Sequence, residues 1–99
     1  MPAKYLTSKL ADHDIKQIVK RSLNDFGESQ TSRYMNGMRA VLQTLAENPD
    51  SGRVFTHRNS GAEYLRHTYV SHVVYYRKRQ DDIFVVRILH AKMLPENHL

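Results

Sequence analysis

The stretch that decides the fold is residues 83–90, Ile83-Phe84-Val85-Val86-Arg87-Ile88-Leu89-His90. Apolar side chains occupy nearly all of it, which is typical of a strand covered on both faces. Arg87 interrupts this pattern. Simple alternation places Arg87 on the side of Ile83, Val85 and Leu89, opposite Phe84, Val86 and Ile88. A guanidinium there needs a partner or a polar cleft. Arg87 is therefore either a structural residue bound by a carboxylate or carbonyls, or an anion-facing residue.

The rest of the last third also has β character. Residues 64–70 and 71–78 mix aromatic, β-branched and basic side chains, and residues 79–82 form a polar turn. Near the start of the chain, Lys4-Tyr5-Leu6-Thr7 is a short β-prone run. Residues 50–62 lack periodicity and contain two glycines, which predicts a loop. The tail, residues 91–99, is expected to be irregular or mobile.

Two helices are predicted between the first strand and this loop. Ser8 stands at an N-cap position, and apolar residues recur at three- to five-residue steps until Gly27, which predicts the helix end. A second apolar stripe runs from Tyr34 to Leu45 and ends before Pro49. The short connection predicts an antiparallel helical hairpin. The sequence thus predicts one α+β domain over residues 1–99, ordered β-α-α-β-β-β, with the hairpin packed on a curved, mostly antiparallel sheet.

Charge and composition narrow the function classes. The chain has 15 Lys and Arg against 10 Asp and Glu, a net charge of +5. This balance indicates an acidic or nucleic-acid partner, or simply a soluble basic surface. The absence of cysteine disfavours a disulfide-stapled secreted design. No apolar run has the length of a signal peptide or a membrane span, so we expect a cytoplasmic protein without membrane contact.

Few residues are arranged for chemistry. The six histidines are scattered without an i, i+4 pair and there is no cysteine, so no metal site is expected. Neither a nucleophile motif nor a phosphate-binding glycine loop is present, and no cofactor is expected. Aromatic residues beside Arg and Lys can stack bases, but β propensity favours packing in the sheet. These observations favour a binding protein over an enzyme. The basic residues on or just after the strands are Arg66, Arg77, Lys78, Arg87, His90 and Lys92.

The segment Val85-Val86-Arg87-Ile88-Leu89-His90-Ala91-Lys92-Met93 resembles the C-terminal signature of ParE toxins, within the wider ParE/RelE superfamily. Further landmarks resemble the family in the same order along the chain. Two positions depart from its pattern: Leu65 separates Tyr64 from Arg66, and Val70 or Ser71 stands where a glycine is common. The matching landmarks are Asp14-Ile15 with Ile18, Phe26-Gly27, Tyr34, Leu45-Ala46-Glu47-Asn48-Pro49, Gly52-Arg53 and His72-Val73-Val74-Tyr75-Tyr76-Arg77.

The resemblance implies a toxin of a type II toxin–antitoxin module that inhibits DNA gyrase and is neutralised by a ParD-like antitoxin. It implies hetero-oligomers with the antitoxin, no sequence-specific DNA binding by the toxin itself, and no catalytic residues. On this resemblance, the residues facing gyrase are Arg87, His90, Lys92 and Met93. The residues facing the antitoxin are Ile15, Ile18, Val19, Tyr34, Met38 and Val41.

A nucleic-acid-binding module outside both branches is a third, lesser alternative. The main alternative is the RelE branch, whose members cleave mRNA on the ribosome. In that case Arg66, Arg87 and His90 would be the catalytic residues, as charge stabilisers and a general acid. The apolar Arg87-Ile88-Leu89-His90 strand end and the lack of a well-placed aromatic residue after His90 favour the ParE branch.

Overall fold

Ser8 begins the helical part of the chain in the computed structural model, which describes residues 3–99. Its side-chain oxygen accepts a hydrogen bond from the Ala11 backbone N–H at 2.9 Å. The same hydroxyl donates to the Val86 carbonyl at 2.6 Å. The predicted N-cap is confirmed, and it also attaches the helix to the sheet.

Helix α1 (Lys9–Glu47) is interrupted at Gly27, whose φ of 82° and ψ of 179° are not helical. Glycine adopts such a positive φ without the strain that other residues incur. A straight helix of 39 residues would be about 58 Å long, yet the longest extent of the molecule is 38 Å. The Ser22 and Thr31 hydroxyls, on either side of Gly27, lie 2.7 Å apart. The chain therefore reverses at Gly27, and the predicted hairpin is confirmed, with a first arm at residues 9–26 and a second arm at residues 28–47.

The hairpin packs on a five-stranded sheet with the order β1-β5-β4-β3-β2. β1 runs parallel to β5, and the other neighbouring strands are antiparallel. The predicted α+β architecture is therefore confirmed. The strands are β1 (Tyr5–Thr7), β2 (Arg53–Thr56), β3 (Glu63–Tyr69), β4 (His72–Lys78) and β5 (Ile83–His90), and short 3-10 turns occur at Pro49–Ser51 and Pro95–Asn97.

Strand β2 is a correction to the predicted loop at residues 50–62. It pairs with β3 from Arg53 opposite Arg66 to Thr56 opposite Glu63. It has four residues at the edge of the sheet, and three of them are exposed. A short edge strand with little burial shows no hydrophobic alternation. For this reason the periodicity of the sequence did not reveal it.

The core lies between the hairpin and one face of the sheet. The second arm contributes Met38, Leu42 and Leu45, which are at most 2% exposed. From the sheet come Val74, Tyr76, Ile83, Val85 and Ile88. We call the opposite side of the sheet, away from the hairpin, the outer face.

A bulge in β5 decides which side chains reach the outer face. Tyr76 pairs with Val85 and Tyr75 pairs with Arg87, so Val86 has no partner on β4. After the bulge the alternation continues one residue out of phase. Ile88 therefore shares the core side with Ile83 and Val85, whereas Arg87 and Leu89 lie on the outer face. The simple alternation along this strand was wrong at this point.

Candidate functional site

Arg87 forms a two-pronged ion pair with Asp14 of the first arm. Its Nε donates to Asp14 Oδ2 at 2.8 Å and its Nη2 donates to Asp14 Oδ1 at 2.9 Å. The two side chains are only 13% and 10% exposed. The hydrogen bonds that Arg87 donates to Asp14 raise the pKa of Arg87 above its usual value. Of the two interpretations from sequence, the geometry supports the structural one, a guanidinium satisfied by a carboxylate.

Asp14 also completes the edge of the sheet. β1 pairs with β5 only as far as Val85, and beyond that point Asp14 Oδ2 accepts the Ile88 backbone N–H at 3.0 Å. Sequence reasoning noticed Asp14 only as a family landmark. The signal was available, because Asp14 lies four residues from both Leu10 and Ile18 on the apolar stripe. A carboxylate at such a position needs a buried partner.

The tail is docked on the molecule, which corrects the expectation that it is irregular or mobile. Residues 95–97 form a 3-10 turn, and Arg87 Nη1 donates to the His98 carbonyl at 2.9 Å. His57, which is 5% exposed, has its Nε2 3.1 Å from the Glu96 carbonyl. Its Nδ1 accepts the backbone N–H groups of residues 59 and 60, so Nε2 carries the proton and donates.

This docking explains a second region of burial on the outer face. Tyr75 and Leu89 are 2% and 1% exposed although they face away from the hairpin. Burial and the nearby Glu96 carboxylate raise the pKa of the Tyr75 hydroxyl, and a hydrogen bond from Arg66 opposes this shift. The tail thus covers one end of the outer face.

Lys92 and Met93 occupy the turn between β5 and the docked tail. Both are exposed, Met93 to 39%. The Lys92 backbone N–H donates to His90 Nδ1 at 3.1 Å, which fixes the turn while leaving both side chains free. Of the four residues expected to face gyrase, these two are accessible, whereas Arg87 is engaged with Asp14 and His90 is half-buried.

His90 belongs to an aromatic cluster on the hairpin side of the sheet. Its ring packs edge-on against His72 with centroids 5.4 Å apart. The hydroxyl oxygen of Tyr34 lies 2.6 Å from His72 Nδ1. Desolvation, followed by the nearby His90, lowers the pKa of His72, and Asp14 partly opposes this. The folded environment therefore favours the neutral form of the His72 ring.

The three residues that a RelE-like activity would use are not brought together. Arg66 pairs with Tyr75, which in turn pairs with Arg87, so both arginines face outward. His90 pairs with His72 on the hairpin side. The Arg87 guanidinium is held by Asp14. Arg66 and His90 therefore lie on opposite faces of the sheet, and Arg87 is already occupied by Asp14.

The hairpin carries an exposed apolar surface beside a groove between its arms. Leu23 and Phe26 are 43% and 61% exposed near the Gly27 reversal, and Val19, Leu23, Thr31 and Met35 are among the residues that line the groove. Met38, expected to face the antitoxin, is a core residue at 1% exposure. The other expected antitoxin-facing residues are partly buried at the core margin: Ile15, Ile18, Val19, Tyr34 and Val41.

Within residues 3–99, no three His, Asp or Glu side chains converge in a way that could hold a metal ion. No helix in that range is both long and apolar enough to span a membrane.

Comparisons with known proteins agree on one family. Residues 5–95 match the family model described as the ParE toxin of the type II toxin–antitoxin system parDE. Toxin ParE1 from two strains of Mycobacterium tuberculosis is 28% identical over 100 residues, covering 100% of both chains. A chain from the structure of the chromosomal ParDE system of P. aeruginosa superposes with a TM-score of 0.74. It is 13% identical, and the match covers 92% of this chain and 98% of that one.

Proposed function

Because the chain belongs to the ParE toxin family of type II toxin–antitoxin systems, we propose that it inhibits DNA gyrase and that a ParD-like antitoxin neutralises it. In this proposal the toxin acts by binding and catalyses no reaction. Lys92 and Met93 contact gyrase, and the apolar surface of the hairpin contacts the antitoxin.

The observation that carries this choice is the Arg87–Asp14 ion pair. A ribonuclease of the RelE kind would need Arg87 free to stabilise charge at the scissile phosphate. Here the guanidinium makes two hydrogen bonds to Asp14 and one to the His98 carbonyl. Its role is to hold the first arm and the tail against β5. This favours the binding toxin over the enzyme.

The exposed turn after β5 is the proposed contact with gyrase. Purified protein should reduce gyrase supercoiling or cause cleaved plasmid to accumulate. Lys92→Ala with Met93→Ala should weaken this effect at least about tenfold, a loss of about 1.4 kcal/mol, without changing the melting temperature. A matched control is Leu10→Ala with Lys16→Ala, an exposed apolar residue and an exposed lysine on the first arm. If Lys92→Ala with Met93→Ala inhibits gyrase as well as the wild type does, this turn is not part of the contact with gyrase. Wild-type protein that leaves gyrase untouched but cleaves mRNA on ribosomes would refute the proposal as a whole.

The hairpin tip is the proposed centre of the antitoxin interface. Since Leu23 and Phe26 are exposed, Leu23→Ser with Phe26→Ser should leave the fold intact and weaken antitoxin binding by about 2 kcal/mol or more. Val54→Ser is the control. Val54 is an apolar residue that is 67% exposed, and it lies on the edge strand β2 rather than on the hairpin. Equal affinities of the two variants, measured by titration calorimetry, would exclude the tip.

A further inference from the structure

Three arginines are brought together on the outer face. Arg53 on β2 lies directly opposite Arg66 on β3. Arg66 lies opposite Tyr75 on β4, and Arg77 is two residues beyond Tyr75 on the same face. All three arginines are exposed. We call Arg53, Arg66 and Arg77 the arginine row.

No carboxylate forms an ion pair with this row among residues 3–99. The ion pairs there engage other cations, namely Lys78 with Asp50, Arg79 with Asp82 and Arg87 with Asp14. Like charges directly opposite on neighbouring strands are unfavourable. The Arg53–Arg66 pair is therefore a local cost that a bound polyanion would relieve.

Aromatic side chains hold two of these guanidinium groups in place. The Arg66 guanidinium carbon lies 5.9 Å from the centre of the Phe55 ring, and that of Arg77 lies 4.5 Å from the Tyr64 ring. These cation–π contacts limit the motion of both arginines while leaving them exposed. Such positioning reduces the entropy that binding would cost.

We propose that the arginine row binds the phosphodiester backbone of single-stranded nucleic acid without sequence preference. Arginine is well suited to phosphate because its planar fork matches two oxygens. The half-buried ring of Phe55 on the same face, beside Arg66, offers a surface to an unstacked base. The Phe84 ring already has the Arg79 guanidinium over it, 4.7 Å from its centre. Aromatic rings beside the cations favour nucleic acid over an acidic peptide, which needs no stacking partner. The outer face presents the surface of a sheet rather than a projecting helix, an element that enters the major groove of a duplex.

This inference is independent of gyrase inhibition, because the binding partner is the nucleic acid strand itself. It is also compatible with the expected lack of sequence-specific DNA binding. The docked tail limits the surface on one side, where the Glu96 carboxylate lies near Tyr75.

The test is fluorescence anisotropy with a labelled oligodeoxythymidylate of about 12 nucleotides, a length typical of single-strand binding sites, titrated between about 50 and 200 mM NaCl. Three phosphate contacts predict that log Kd rises with log salt with a slope of about 2. Arg66→Gln with Arg77→Gln should weaken binding about tenfold or more and reduce the slope to about 0.7. Lys20→Gln with Arg21→Gln makes the same charge change on the exposed first arm and should have little effect. Arg53→Gln is a second variant, expected to reduce the slope by about 0.7.

Several outcomes would overturn the proposal: no binding at the lowest salt, equal losses in both double variants, or tighter binding of a duplex. Competition by polyglutamate as effective as by unlabelled oligodeoxythymidylate would assign the row to an acidic peptide instead. An oligouridylate of the same length tests an RNA strand in place of DNA, and binding of either strand supports the proposal. The assay contains no gyrase, so its failure would leave gyrase inhibition standing.

Discussion

At the scale of single residues, the pairing of Asp14 with Arg87 connects parts of the chain that are 73 positions apart. Asp14 accepts three hydrogen bonds, two from the Arg87 guanidinium and one from the Ile88 backbone N–H. Because both side chains are nearly buried, removal of one leaves the other charge with little solvent to replace its partner.

We therefore expect Arg87→Ala to lower the free energy of unfolding by about 3 kcal/mol, measured by denaturant titration. Arg87→Lys keeps the charge but loses the two-pronged geometry. Its free energy of unfolding should therefore lie between those of Arg87→Ala and the wild type. Asp14→Ala with Arg87→Ala should be less destabilised than the sum of the single variants. Gyrase inhibition at a temperature where each variant is folded should be unchanged. Lost inhibition with unchanged stability would instead restore Arg87 as a contact residue.

A second residue-scale prediction concerns His72. Its pKa is lowered in the folded protein, chiefly by desolvation, so the folded state favours the neutral ring, which lies 2.6 Å from the Tyr34 hydroxyl. This contribution to stability is complete above the unfolded pKa near 6.5. It is lost as the pH falls through the lower folded value, because the unfolded state then binds the proton more readily.

The free energy of unfolding should thus decrease on acidification below about pH 6.5, by up to about 1.4 kcal/mol per pH unit from this group. The contribution of His72 is the difference between the pH profiles of wild type and His72→Gln, a variant that removes the titrating ring. Parallel pH profiles for the two proteins would show that His72 is not responsible.

At the scale of elements, the second arm packs against β3 through a glycine. A Cβ built on Gly37 would overlap the Tyr69 hydroxyl and lie 3.0 Å from the ring carbon that carries it. That hydroxyl donates to the Tyr34 carbonyl at 2.9 Å. Helix propensity alone would favour alanine by about 1 kcal/mol, but this contact opposes it.

We expect Gly37→Ala to destabilise the protein by about 1–3 kcal/mol, because the Tyr69 ring must move and lose its hydrogen bond. Gly37→Ala with Tyr69→Phe should recover part of the loss, since the hydroxyl makes the closest contact. Thermal unfolding of the single and double variants provides the measurement. A single variant more stable than wild type would mean that propensity outweighs the contact.

The docked tail is the second element with a testable consequence. Deletion of residues 95–99 removes the carbonyl partners of His57 and Arg87 and uncovers Tyr75 and Leu89. We expect a loss of about 2 kcal/mol or more, from two hydrogen bonds and renewed exposure of apolar surface. Glu96→Ala, which keeps the backbone, is the control for the deletion. A deletion as stable as wild type would contradict docking of the tail in solution.

At the scale of the whole molecule, charge and size set the expected behaviour with an antitoxin. A domain of 99 residues buries a modest share of its surface, and the hairpin leaves Leu23 and Phe26 exposed. Coverage of these residues by a partner should raise the melting temperature well above that of the isolated toxin.

The net charge of +5 should make association with an acidic antitoxin slower as salt increases. Calorimetry and stopped-flow mixing test the two effects. Equal melting temperatures, or an association rate independent of salt, would argue against this interface.

The sequence by itself determined the order of the elements and their boundaries wherever the signal is local. Ser8 as N-cap, Gly27 as the reversal and the apolar run of β5 follow from capping, backbone freedom and hydrophobic pattern, which depend on neighbouring residues. The resemblance around residues 85–93 indicated the family for the same reason, because it lies in contiguous sequence.

Only the tertiary structure decided the side-chain partnerships. The bulge at Val86 placed Arg87 on the outer face, and Asp14 satisfied it from the first arm. β2 exists because it pairs with β3, and the tail is ordered because His57 and Arg87 bind its carbonyls. Each of these contacts joins residues distant in sequence. Register and partner choice depend on how whole elements pack, which local propensity does not encode.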